Sequence, residues 1–113
     1  MERRKEIRFP ASLKVAGIRQ NKESILGLTK DFSRSGLRAV FDNFESEPNS
    51  YTDIKIQSPE EDVFIPANAE VRWKRPAEGR WEVGFRLKDF VSQAKAEILE
   101  YAYQNWLKDR IPS

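Results

Sequence analysis

Val63-Phe64-Ile65-Pro66-Ala67-Asn68-Ala69-Glu70-Val71-Arg72-Trp73-Lys74 alternates in character along its length. Val63, Ile65, Ala67, Ala69, Val71 and Trp73 fall on one parity, while Pro66, Asn68, Glu70, Arg72 and Lys74 occupy the other. Successive side chains of a strand point to opposite faces, so period two over some eleven residues specifies a long half-buried strand. Trp73 is then expected on the core face with Val71. Pro66 has no N–H for a central ladder and is expected at a bend or an edge. Arg75 to Gly79 reads as a hairpin connection. Beyond it, Trp81, Val83, Phe85 and Leu87 alternate with Glu82, Gly84, Arg86 and Lys88, so the two runs are expected to pair antiparallel.

The same period extends upstream. Ala11 to Arg19 carries Leu13 and Val15 against Ser12 and Lys14, and a polar turn, Gln20 to Glu23, comes next. Ser24 to Phe32 is a second strand, in which Gly27 suggests a bulge or a close backbone approach. Leu37, Ala39 and Phe41 share a face opposite Arg38 and Val40. Asn43 to Ser50 has loop composition, and Tyr51 to Gln57 returns Thr52, Ile54 and Ile56 to the inside.

From Asp89 the period changes. Phe90, Ala94, Ile98, Tyr101, Ala102 and Trp106 recur at three- and four-residue spacing, the signature of one helix face. Asp89 is a suitable N-cap, and Pro112 prevents continuation. Val91, Leu99 and Tyr103 widen the apolar surface beyond one stripe. The helix is expected to cap a barrel end or to meet another subunit. Six antiparallel strands followed by one helix make the expected fold all-β with a C-terminal helix, a small six-stranded Greek-key β-barrel. The expected division is an N-terminal arm at 1–10, a barrel at 11–88 and a helix at 89–110.

Composition narrows the chemistry. With 113 residues the chain is expected to form one domain. It contains no cysteine and no histidine. Thiolate catalysis and disulfides are excluded, and the commonest general base and metal ligand is missing. A non-catalytic protein without metal or cofactor is the expectation. No apolar run approaches the roughly 20 residues of a membrane-spanning helix, and a cytoplasmic protein is expected. The net charge is only +2, but Arg3, Arg4, Lys5 and Arg8 crowd the first eight residues against Glu2 and Glu6. A locally cationic arm suits a phosphate-bearing partner or is a solvated terminus.

Two motifs sharpen this. Arg4-x-x-x-Arg8 sets two guanidinium forks on one side of the chain, whether helical or extended. Such forks match phosphate oxygens and the O6/N7 edge of guanine. Asp31-x-Ser33-x-x-Gly36 stands between the second and third strands. Asp31 can accept the N1–H and amino hydrogens of guanine, Ser33 can donate and accept, and Gly36 permits positive φ and a close ligand approach. The same three residue types also make an ordinary turn. Arg34 and Arg38 flank this corner and are either further anion contacts or surface charge. Trp73 could stack on a base, although its parity favours the core.

Together these landmarks resemble the PilZ domain family. Arg4 to Pro10 leads into Ser12-Leu13-Lys14-Val15; Asp31 to Arg38 closes the second strand; Ala69 to Trp73 then faces Val83 to Leu87. Order and spacing match over nearly the whole chain. The resemblance implies a six-stranded antiparallel barrel of split-barrel type with a C-terminal helix, and a bacterial receptor for cyclic diguanylate (c-di-GMP). It implies that Arg4 and Arg8, on a flexible arm, contact phosphate and guanine, and that Asp31, Ser33 and Gly36 form the fixed half of the site. Arg3, a cation before the first motif arginine, implies capture of two intercalated ligand molecules. Asn49 stands near a place where the family often has glycine.

The expected mechanism is closure of the arm over the ligand, read by a partner domain or protein, with a homodimer through the helix as a further expectation. The alternatives are a small barrel that binds nucleic acid or oligosaccharide, or one that binds a protein partner without nucleotide. The weak net charge argues against an extended polyanion.

Overall fold

The computed structural model describes residues 8–18, 24–59, 63–89 and 92–110. Among them, seven strands precede one helix: β1 (Phe9–Pro10), β2 (Lys14–Ile18), β3 (Ser24–Phe32), β4 (Gly36–Phe41), β5 (Tyr51–Gln57), β6 (Phe64–Ala77), β7 (Arg80–Asp89) and α1 (Ser92–Arg110). The six long strands are the six expected. β1 is too short to show a period, and it pairs Phe9 with Phe32 and Pro10 with Asp31.

The long strands run in the order β3-β2-β5-β6-β7-β4, and β4 returns to pair with β3. All pairings are antiparallel and the sheet closes into a barrel. The neighbours β5-β2-β3-β4 have the spatial order 4-1-2-3 of a Greek key. Closure removes exposed sheet edges and leaves one interior for the alternating apolar residues. Val15, Leu37, Ala39, Ile54, Ile56, Ala69, Val71 and Val83 fill that interior with no exposed surface.

Local chemistry explains the joins. β6 pairs with β7 only from Asn68 onward, so Pro66, which pairs with Lys55 of β5, sits where the other side of β6 is open. The β6–β7 connection is tighter than expected. Ala77 pairs with Arg80, and the two-residue turn between them has φ of 55° at Glu78 and 80° at Gly79, the twist-matched hairpin form. Gly27 serves a close approach and not a bulge: a side chain there would strike the Phe41 ring and the Val40 carbonyl. Asn49 adopts φ of 71°, a left-handed conformation that asparagine tolerates in place of glycine.

Strand β7 runs through Asp89 and α1 spans Ser92–Arg110; the N-cap expected at Asp89 adjoins residues 90–91, which lie outside the described residues. Ala94, Ile98 and Ala102, at four-residue steps, are buried. Two residues of the wider apolar face stay within the chain. Tyr103 and Trp106 hold Phe9 edge-on, with ring centroids 5.6 Å and 5.8 Å away. Such pairs contribute about 0.5–1.5 kcal/mol each beyond their buried area. Among the described residues, no helix is long and apolar enough to cross a membrane.

Candidate functional site

A bulge aims the acid of the corner. The β3–β4 register passes from Thr29↔Ala39 to Asp31↔Arg38, which leaves Lys30 as an extra residue. One extra residue reverses the parity of the strand beyond it. Thr29 and Phe32 therefore both face the interior, and Asp31 turns outward beside Arg38. Even so, Asp31 is only 6% exposed. Two guanidinium groups cover it. Arg8 donates from Nη1 to Asp31 Oδ1 at 2.9 Å, while Arg38 donates to Oδ2 from Nε at 2.8 Å and from Nη2. The hydrogen bond to Asp31 raises the Arg38 pKa above the ordinary arginine range. Partial burial opposes that rise, and the charges of Asp31 and Glu82 add to it.

Arg8 reaches Asp31 because the root of the arm is fastened to β3. Ala11 N–H donates to the Lys30 carbonyl at 3.1 Å. The buried Thr29 hydroxyl donates to the Ala11 carbonyl at 2.6 Å and accepts from Leu13 N–H at 2.8 Å. A buried hydroxyl that is both donor and acceptor satisfies two backbone groups at a place with no regular ladder.

The corner itself is a tight, well-bonded turn. Ser33 N–H donates to the Gly36 carbonyl at 2.9 Å, and the Ser33 hydroxyl lies 3.5 Å from the same oxygen. Leu87 N–H donates to the Ser35 carbonyl at 2.8 Å, which ties the corner to β7. Gly36 does not use positive φ. A Cβ there would overlap the Phe85 carbonyl oxygen, so the close passage of β7 requires glycine.

A second bulge overturns the core placement of Trp73. Val71 pairs with Phe85 but Trp73 pairs with Gly84, so Arg72 is the extra residue. Val71 stays in the core with no exposed surface. Trp73, whose sequence parity continues that of Val71, is turned to the outer face and lies against Gly84. There the Arg75 guanidinium approaches its ring, 5.3 Å from the centroid. A β-bulge carries no residue signature of its own, and the Gly84 opposite is the one sequence signal that room had been left for an aromatic ring.

Arg8, Ser35 and Trp73 line one concavity of about 440 Å³, completed by Arg72, Gly84, Phe85 and Arg86. It presents three arginines and no carboxylate. Three larger depressions suit an anion less well; that of about 570 Å³ beside α1 sets Glu97 and Glu100 against a single cation, Lys108. One of about 680 Å³ presents Glu45, Glu47 and Asp53 without a cation. Another of about 790 Å³ sets Lys14, Lys30 and Arg80 against Asp42, Glu78 and Glu82. The smaller cationic concavity is therefore the better candidate for a phosphate ligand. Arg72 and Arg86 were not singled out from the sequence, where they read as the polar phase of two strands.

Of the residues expected at the site, the structure brings Arg8, Asp31, Ser33, Gly36 and Trp73 to one region. Arg34 is exposed at the corner. The Arg38 guanidinium is turned to Asp31 and Glu82. Arg3 and Arg4 lie outside the described residues. Among the described residues, no group of His, Cys, Asp and Glu is placed to hold a metal ion.

The family profile described as PilZ domain matches residues 2–104. The chain belongs to the PilZ domain family. Solved PilZ structures share its fold. The Bacillus subtilis inhibitor of motility, MotI/DgrA, superposes with a TM-score of 0.76 at 21% identity, over 96% of this chain and 53% of the other. This PilZ chain thus spans about half the length of that protein. The PilZ domain of Escherichia coli YcgR, solved with c-di-GMP, gives a TM-score of 0.72 at 11% identity, over 96% and 95% of the two chains. The PilZ domain of CeSA from a cellulose-synthesizing bacterium gives 0.54 at 18% identity, over 87% and 96%. No curated protein matches the chain by sequence.

Proposed function

We propose that this PilZ domain is a receptor for cyclic diguanylate that works by binding and arm closure, without catalysis. One observation carries the reading. Arg8, held by Asp31, lines a concavity that offers three arginines, an indole and no carboxylate. That chemistry suits a ligand with phosphates and flat bases. The solved c-di-GMP complex of the YcgR PilZ domain supports it.

The Arg8–Asp31 pair is suited to exchange. The Arg8 side chain is 41% exposed. Its exposed end can leave for solvent or for a ligand, while Asp31 keeps its bonds to Arg38. Guanine can replace Arg8 at Asp31 by donating its N1–H and amino hydrogens to the carboxylate. Arg8, joined by Arg4, is then free for phosphate and for the acceptor edge of guanine. Each charge-assisted hydrogen bond so gained contributes roughly 1.5–3 kcal/mol, less the conformational entropy lost on binding. Ser33 and Gly36 shape the backbone beside the base, and Trp73 offers a stacking face. Arg3 adds a third guanidinium, which suits a second, intercalated ligand molecule. A downstream domain or protein reads the closed arm, and a homodimer through α1 is a further proposal.

Calorimetric titration with cyclic diguanylate tests the reading. Saturable binding is expected, at two ligands per chain if Arg3 acts as described. Arg4→Ala, Arg8→Ala and Asp31→Ala should each abolish binding and leave the barrel's circular dichroism intact. Normal affinity in all three refutes the site. Absent ligand binding with salt-sensitive oligonucleotide binding would favour the nucleic-acid reading. Oligomerisation indifferent to nucleotide, with no binding, would favour a protein-interaction module.

A further inference from the structure

Glu82 is a carboxylate on the outward phase of β7, yet its side chain is only 3% exposed. A carboxylate is not buried in this way without partners. Its partners are two arginines from the strands on either side. Arg38 of β4 donates from Nη1 to Oε2 at 3.2 Å. Arg75 of β6 donates to Oε1 from Nε at 3.3 Å and from Nη2 at 3.1 Å. Each arginine has a second engagement. Arg38 grips Asp31 Oδ2 with its remaining edge. Arg75 lies near the Trp73 ring. Glu82 itself does not line the concavity that holds Arg8 and Trp73.

We infer that Glu82 is a positioning residue for guanine recognition, setting Asp31 through Arg38 and Trp73 through Arg75. This rests on the reading of the site as one for cyclic diguanylate. The guanidinium is a rigid planar fork, so an arginine bonded on two edges cannot rotate without breaking a bond. Fixed by Glu82, Arg38 occupies Oδ2 of Asp31, and Oδ1 is left facing the arm. The acceptor geometry offered to the guanine edge is thus determined from β7, by a residue outside the lining of the concavity. Surface ion pairs are ordinarily weak because long side chains must be ordered to form them. Here the buried carboxylate carries that ordering, and the exposed arginines inherit it.

Glu82→Gln tests this. The amide keeps the shape but cannot accept from both arginines. In the ligand-free protein, exchange of the Arg38 Nη1 hydrogens, followed by nitrogen-15 NMR, should accelerate about tenfold or more on losing the charged Glu82 partner. In binding, affinity for cyclic diguanylate should fall about tenfold, and preference over cyclic diinosine, which lacks the guanine amino group, should shrink toward parity. A role in general stability would weaken both ligands alike and leave their ratio fixed. An unchanged ratio or unchanged Arg38 exchange overturns the inference. Should Glu82→Gln fail to fold, Arg38→Lys keeps the charge and loses the fork, and the same collapse of the ratio is expected. If the wild-type chain binds neither dinucleotide, the receptor reading falls, and Arg38 exchange still decides whether Glu82 positions Arg38.

Discussion

Trp73 stands over Gly84 so closely that a methyl group at position 84 would collide with the indole ring. The contact exists because the bulge at Arg72 turned Trp73 outward. Gly84→Ala should therefore displace the ring at a cost of about 1–3 kcal/mol in stability, as overpacking does. Trp73→Ala removes a half-buried ring and leaves the core alone. It should lower cyclic diguanylate affinity by about 1–3 kcal/mol, the range for base stacking, with little change in fold. Melting curves and titrations of the two variants check this, and equal ligand affinity in wild type and Trp73→Ala would remove the ring from the site.

Gly36 stands inside the recognition motif, but the structure gives it a task in the barrel. Its Cα hydrogens face the Phe85 carbonyl, and Gly36 pairs with Arg86 across that approach. Gly36→Ala forces β4 and β7 apart. The expected cost exceeds about 3 kcal/mol, in the range of severe backbone and packing defects. Far-UV circular dichroism should show loss of the barrel, so lost ligand binding in this variant would report on fold. A well-folded Gly36→Ala that has lost binding would instead return Gly36 to direct ligand contact.

The barrel was legible because its strands obey period two and its helix obeys the four-residue step at Ala94, Ile98 and Ala102. The site was legible in its motif residues, which are chemically conspicuous. Everything set by bulges and by distant partners escaped the sequence. Lys30 and Arg72 are ordinary residues, and no composition marks them as the places where parity reverses. Sequence parity consequently places Trp73 on the wrong face. Glu82 reads as a solvated charge on an outward phase, because its burial comes from Arg38 and Arg75, which lie elsewhere in the chain.

The pH response is set by the same network. Arg38 has its pKa raised, chiefly by the hydrogen bond to Asp31. A cation raised in the folded state adds stability that is complete below its unfolded pKa and is lost only as pH rises through the folded one. Both values lie at or above the ordinary arginine range, far from neutrality. The sequence also has no histidine or cysteine to titrate nearby. Melting temperature and ligand affinity should both stay nearly constant between about pH 6 and 8. A change of tenfold or more in affinity across that interval would mean that another group controls the site.

Thr29 offers the sharpest separation of arm from barrel. Its hydroxyl serves Ala11 and Leu13, the residues through which the arm enters β2, and its side chain is buried. Thr29→Val has nearly the same volume and shares threonine's preference for strands, so the hydroxyl is the group removed. It strands a buried carbonyl and a buried N–H, at about 1–3 kcal/mol for each. Thr29→Ser restores both bonds and loses only a methyl group. Thr29→Val should therefore lower the melting temperature and speed amide exchange at Leu13 more than at Val71 on β6, the strand opposite β3 in the closed barrel. Ligand affinity should drop with it, because Arg8 is positioned by this root, and Thr29→Ser should recover most of that loss. If serine and valine behave alike, the hydroxyl does not hold the arm, and the placement of Arg8 must come from the Phe9 contacts with Tyr103 and Trp106.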